Sequence, residues 1–98
     1  MDVRLLYFDD CPNWQETDRR LQDAIAVAGH PLRLEYVKVA TPEDAERLRF
    51  RGSPTVLVDG ADPFADEGAP VGVSCRVVQT PYGLRGAPTF EQLVKVLR

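Results

Sequence analysis

The chain has 98 residues, 44% of them hydrophobic and 28% charged, with a formal net charge of −3. That length suits a single domain, residues 1–98, with a core that holds without metals or cross-links. The acidic balance disfavours a nucleic-acid surface, which would show a basic stripe, and no apolar run approaches the roughly 18 residues of a membrane span.

Val3 to Phe8 is apolar apart from Arg4, the pattern of a central strand covered on both faces. The beginning is too short in apolar residues for a signal peptide and turns acidic at Asp9-Asp10, so the expected location is the cytoplasm. From Pro12 the period changes. Trp14, Leu21, Ala24, Ile25 and Ala28 recur at helical spacing, and Glu16, Asp18, Arg19, Arg20 and Asp23 fill the other face. Pro12 suits a first helical turn, and Gly29, ahead of His30-Pro31, is a stop.

Leu32 to Val39 is expected as a strand of about eight residues. Val37 and Val39 fall out of phase with Leu34 and Tyr36, which predicts a bulge. The intervening helix predicts parallel pairing with the first strand. Thr41-Pro42 with Glu43 and Asp44 caps a short second helix that Gly52 ends. Thr55 to Val58 is a strand closed by Asp59-Gly60. Residues 60–72 form a loop, and no cation occurs from Gly52 to Cys75. Val73 to Thr80 alternates as a further strand, residues 81–86 are a turn-rich connector, and Thr89 with Gln92 makes a capping box for a last helix. The expected class is α/β: a four-stranded mixed sheet with three helices, in the order β-α-β-α-β-β-α.

Asp10-Cys11-Pro12-Asn13-Trp14, Gly52-Ser53-Pro54-Thr55 and Ser74-Cys75-Arg76, in this order, resemble the thioredoxin-like superfamily. More narrowly, they are similar to small bacterial thioredoxin-like proteins with a Cys-Pro-x-Trp motif, some of them labelled alkylmercury lyase. The resemblance implies a nucleophilic Cys11 and a cis Pro54 packed against its sulfur. It places Pro12, Trp14, Arg51, Ser53, Pro54 and Thr55 around a thiol or disulfide substrate. Trp14 stands where dithiol enzymes carry their second cysteine, which excludes dithiol chemistry within the motif. Three schemes stay open: monothiol exchange with glutathione as co-substrate, resolution by Cys75, or no redox role. The alternatives to an oxidoreductase are a binding or adaptor module and capture of a thiophilic metal such as mercury.

Each of these residues also has a plainer reading. A helix start stabilises a thiolate, whereas Asp9 and Asp10 oppose it; otherwise Cys11 merely fills a niche. Trp14 lies on the apolar stripe and is expected as core. Cys75 shares a face with Val73 and Val77, as a buried structural cysteine does. A hairpin pairing of its strand with Thr55–Val58 puts it some 16 Å from the Pro54 region, against the roughly 7 Å a disulfide allows between Cα atoms. In a reducing compartment two cysteines are expected as thiols. With one histidine, His30, a single-chain zinc site is not expected. Arg47, Arg49 and Arg51 complement a helix C-terminus, or Arg51 and Arg49 hold the carboxylates of glutathione.

Overall fold

The tertiary structure, a computed structural model, describes residues 1–9, 11–29, 31–64 and 77–97. Asp2–Tyr7 (β1) is the middle strand of a three-stranded sheet in which Arg33–Lys38 (β2) and Thr55–Val58 (β3) flank it. β2 runs parallel to β1, from Asp2↔Arg33 to Tyr7↔Lys38. β3 runs antiparallel, from Val3↔Val58 to Leu6↔Thr55. The architecture is mixed α/β with three helices.

Both faces of the sheet are covered, as the unbroken apolar run of β1 requires. On one side Val3, Leu5 and Val56 pack with Leu21 and Ala24 of Asn13–Val27 (α1) and with Leu93 and Leu97 of Phe90–Val96 (α3) and its end. On the other side Leu6 and Val39 pack with Ala45 of Pro42–Leu48 (α2) and with Phe50. This two-sidedness removes the bulge expected near Lys38. The ladder is continuous from Arg33 to Lys38. Leu34 packs on the α1 face and Val37 on the α2 face. An edge strand with apolar residues pointing both ways looks out of phase without any insertion.

The helix caps follow from local chemistry. Thr41 accepts from the Asp44 N–H at 3.1 Å with Pro42 in the first turn. Thr89 and Gln92 form the reciprocal box. α2 ends at Leu48, earlier than Gly52, because Arg49 takes the left-handed conformation (φ 52°, ψ 44°). Asp59 and Gly60, with φ of 50° and 85°, make the tight turn that bridges Val58 to Ala61, a turn that demands positive φ at both central positions.

The expected fourth strand of the main sheet is a correction. Val78–Thr80 (β4) pairs with Gly83–Arg85 (β5) in a separate two-stranded sheet. Thr80 secures the reversal, since its Oγ1 accepts from the Tyr82 N–H at 3.1 Å and donates to the Gly83 carbonyl at 2.7 Å. Gly83 supplies φ of 93°. The connector 81–86 is therefore half of a hairpin, and β4 has its partner nearby in the chain rather than in β3. The rest of the expected strand, residues 73–76, and most of the expected loop lie outside the described residues.

No helix among the described residues is long and apolar enough to cross a membrane.

Candidate functional site

The segment between β1 and α1 meets the segment before β3 through three polar contacts. The Cys11 N–H donates to the Phe8 carbonyl at 3.0 Å. The Phe8 N–H donates to Ser53 Oγ at 3.0 Å. Cys11 Sγ lies 3.6 Å from the Ser53 carbonyl oxygen, closing the ring. Phe8 is thus a site residue that no sequence motif marks, because it acts entirely through its backbone. The Ser53–Pro54 peptide bond is cis.

Cys11 is disulfide-bonded and fully buried, at 0% exposure. Both facts correct the expectation of an accessible thiol. Pro12 caps α1 in place of a polar residue, and no side chain caps that end. The sulfur lies against a carbonyl oxygen, an acceptor. The Asp9-Asp10-Cys11 stretch reads as surface because its neighbours are charged. Its sulfur instead meets the 52–56 segment through Ser53, and that segment is itself covered throughout. Cys75, the candidate second thiol, and His30 lie outside the described residues.

The other expected site residues divide. Pro12 is exposed and Trp14 half-buried. Trp14 stacks on Tyr7 with ring centroids 4.3 Å apart and packs against the α1-face core, the expected structural role. Ser53 and Pro54 are buried, and the Thr55 hydroxyl donates to the Gly52 carbonyl at 2.7 Å. They hold the segment's shape in this state rather than facing solvent. Arg51 and Thr55 instead line a cleft of about 470 Å³ on the α2 side, with Leu6, Leu48, Phe50 and Leu57.

A second cleft, of about 570 Å³, opens between α1, the β4–β5 hairpin and the start of α3, and none of the expected site residues among the described ones lines it. Its closest approach to Cys11 along the chain is Asn13, whose side chain lies against Gly86. A Cβ on Gly86 would come within 2.6 Å of Asn13 Cγ. Arg20 ties this wall together, since its guanidinium donates to the Pro88 carbonyl at 2.9 Å and pairs with Glu16.

Among the described residues no group of three His, Cys, Asp or Glu side chains is placed to hold a metal ion. Thr17, on the inner face of α1, is fully buried, and its hydroxyl has no hydrogen-bond partner among the described residues. The chain matches no family model, no curated protein and no solved structure.

Proposed function

We propose that the chain is a thioredoxin-like protein that works by thiol–disulfide exchange involving Cys11. One juxtaposition carries the reading: a sulfur already engaged in a disulfide lies 3.6 Å from the carbonyl of Ser53, in the segment before β3. The order of β1, α1, β2, α2 and β3, with a parallel first pair and an antiparallel third strand, supports the superfamily resemblance.

The linkage at Cys11 shifts the reading from a monothiol to a two-thiol scheme. The sequence holds one other cysteine, Cys75, and this reading takes it as the second thiol. A sulfur with no exposure is out of reach of an external thiolate, and exchange requires access. Cys11 is therefore the internal partner. A substrate thiolate attacks the other sulfur of the disulfide, and the intramolecular S–S bond breaks. Cys11 leaves as a thiolate that takes up a proton, and a mixed disulfide remains. A second substrate thiolate attacks the substrate sulfur of that mixed disulfide, releasing the oxidised substrate and the second protein thiol. Two electrons pass from the substrate thiols to the protein. Glutathione disulfide, as oxidant, takes them back, becoming two molecules of glutathione.

Equilibration in glutathione redox buffers, followed by alkylation and mass spectrometry, tests the proposal. The expected outcome is a two-electron transition near the poise of redox-active pairs, about −270 to −120 mV, with Cys11→Ser trapping a mixed disulfide that Cys75→Ser does not. A midpoint below about −300 mV, typical of structural disulfides, together with no exchange of substrate disulfides, would refute it.

The full burial of Cys11 favours a second reading, in which the disulfide is structural and the chain is a binding or adaptor scaffold. The same midpoint decides between the two. Capture of mercury requires prior reduction of the bond at Cys11, so thiol-specific adducts after reduction alone are its signature.

A further inference from the structure

We propose that the cleft where α2 ends against β3 binds an amphipathic carboxylate, an apolar body carrying one negative head, and that Arg49 recognises the head. The inference goes beyond exchange at Cys11 and does not depend on it.

The lining sets the ligand's chemistry. Leu6, Leu48, Phe50 and Leu57 supply the apolar walls of a space of about 470 Å³, within the roughly 300–1,000 Å³ of ligand sites. Leu6 and Phe50 are core residues, whereas Leu48 and Leu57 are only half-buried, so the walls keep apolar surface that a ligand would cover. Among the described residues the charged groups lining the cleft are Arg49, Arg51 and Asp62. Arg51 and Asp62 each hold a further interaction, so the cation offered to a ligand is Arg49, which matches a monoanionic carboxylate better than a dianionic phosphate. Asp62 is partly engaged, since its Oδ1 accepts from the Phe64 N–H at 2.9 Å.

Arg49 supplies the second observation. It occupies the position after a helix that glycine usually takes, at φ 52°, where a side chain is sterically disfavoured. Its backbone N–H is used, donating to the Glu46 carbonyl at 3.2 Å. Its exposed guanidinium engages no carboxylate among the described residues. Non-glycine residues in such conformations cluster at ligand sites, where the side chain is needed. A guanidinium forks onto a carboxylate through two parallel N–H···O bonds, and here it would do so beside an apolar wall that weakens competition from water.

The test is an amide NMR titration of the full oxidised chain with octanoate, octanamide and acetate. Octanoate is expected to give saturable shifts at Phe50, Leu57 and the residue 49 amide, with a dissociation constant of about 1 mM or below. Octanamide lacks the charge and acetate the apolar body, and each is expected to bind about tenfold more weakly. Arg49→Gly suits the left-handed backbone, so it folds, and it is expected to weaken octanoate about tenfold. Cys11→Ser, if it stays folded, is expected to bind octanoate as the parent does, which separates this inference from the exchange reading. Octanamide binding as tightly as octanoate, Arg49→Gly binding unchanged, or octanoate shifts that do not saturate would each overturn the proposal.

Discussion

Ser53→Ala removes the acceptor that holds the end of β1 against the segment before β3. Ser53 is fully buried, and its Oγ accepts from the Phe8 N–H at 3.0 Å. Loss of the hydroxyl leaves that amide without an acceptor, which costs about 1–3 kcal/mol for a buried donor. Phe8 is only half-buried, so the lower part of the range applies, about 1–2 kcal/mol. With a urea dependence of roughly 1–1.5 kcal/mol per molar for a chain of this size, the unfolding midpoint falls by about 1 M. Hydrogen exchange localises the effect. The Phe8 amide should exchange about tenfold faster in the variant, while the amides of α3, on the far side of the core, change only with global stability. A midpoint within about 0.2 M of the parent, with Phe8 exchange unchanged, would show that the hydroxyl does not hold this junction and would remove the ring of contacts around Cys11.

Thr17→Val replaces a fully buried, unpartnered hydroxyl by a methyl of the same shape. Relief of the desolvation cost should raise stability by up to about 1 kcal/mol, and a drop in the urea midpoint would mean that the hydroxyl has a partner after all. Asp44 is the group for an acid-range prediction. The hydrogen bond from Arg47 first, then the Ala40 N–H, hold its carboxyl below the ordinary 3.8. Because the unfolded chain takes up that proton first, Asp44 stabilises the fold fully above the unfolded value and loses the contribution as pH falls through the folded one. The difference in urea midpoint between the parent and Asp44→Asn should therefore shrink as pH is lowered from about 5 to 2. A constant difference would refute the assignment.

Elements set by local chemistry were legible in the sequence. The Thr41-Pro42 and Thr89–Gln92 caps, the Asp59-Gly60 turn and the parallel β1–β2 pair all stand where residue type and spacing put them. The superfamily resemblance implied a cis Pro54 against the Cys11 sulfur; the bond is cis, and the sulfur contact is with the neighbouring Ser53 carbonyl. The β4–β5 hairpin was not, since three-residue strands around Pro81-Tyr82 are too short to show a period. Arg49 carries no turn signal of its own. Its left-handed backbone (φ 52°) is one that residue type does not announce.

Cys11 shows most plainly why a site differs from its motif. Within its own stretch the charges of Asp9 and Asp10 argue for exposure, and a helix start argues for a reactive thiolate. Neither effect takes account of the segment some forty residues away that the sulfur meets. Once Ser53 accepts from Phe8, the β1–α1 turn is drawn onto the buried 52–56 stretch, and the Cys11 N–H is spent on the same turn. The sulfur then faces the Ser53 carbonyl oxygen. The exchange proposed for this residue therefore starts from a bonded sulfur, with the departure of Cys11 from its partner.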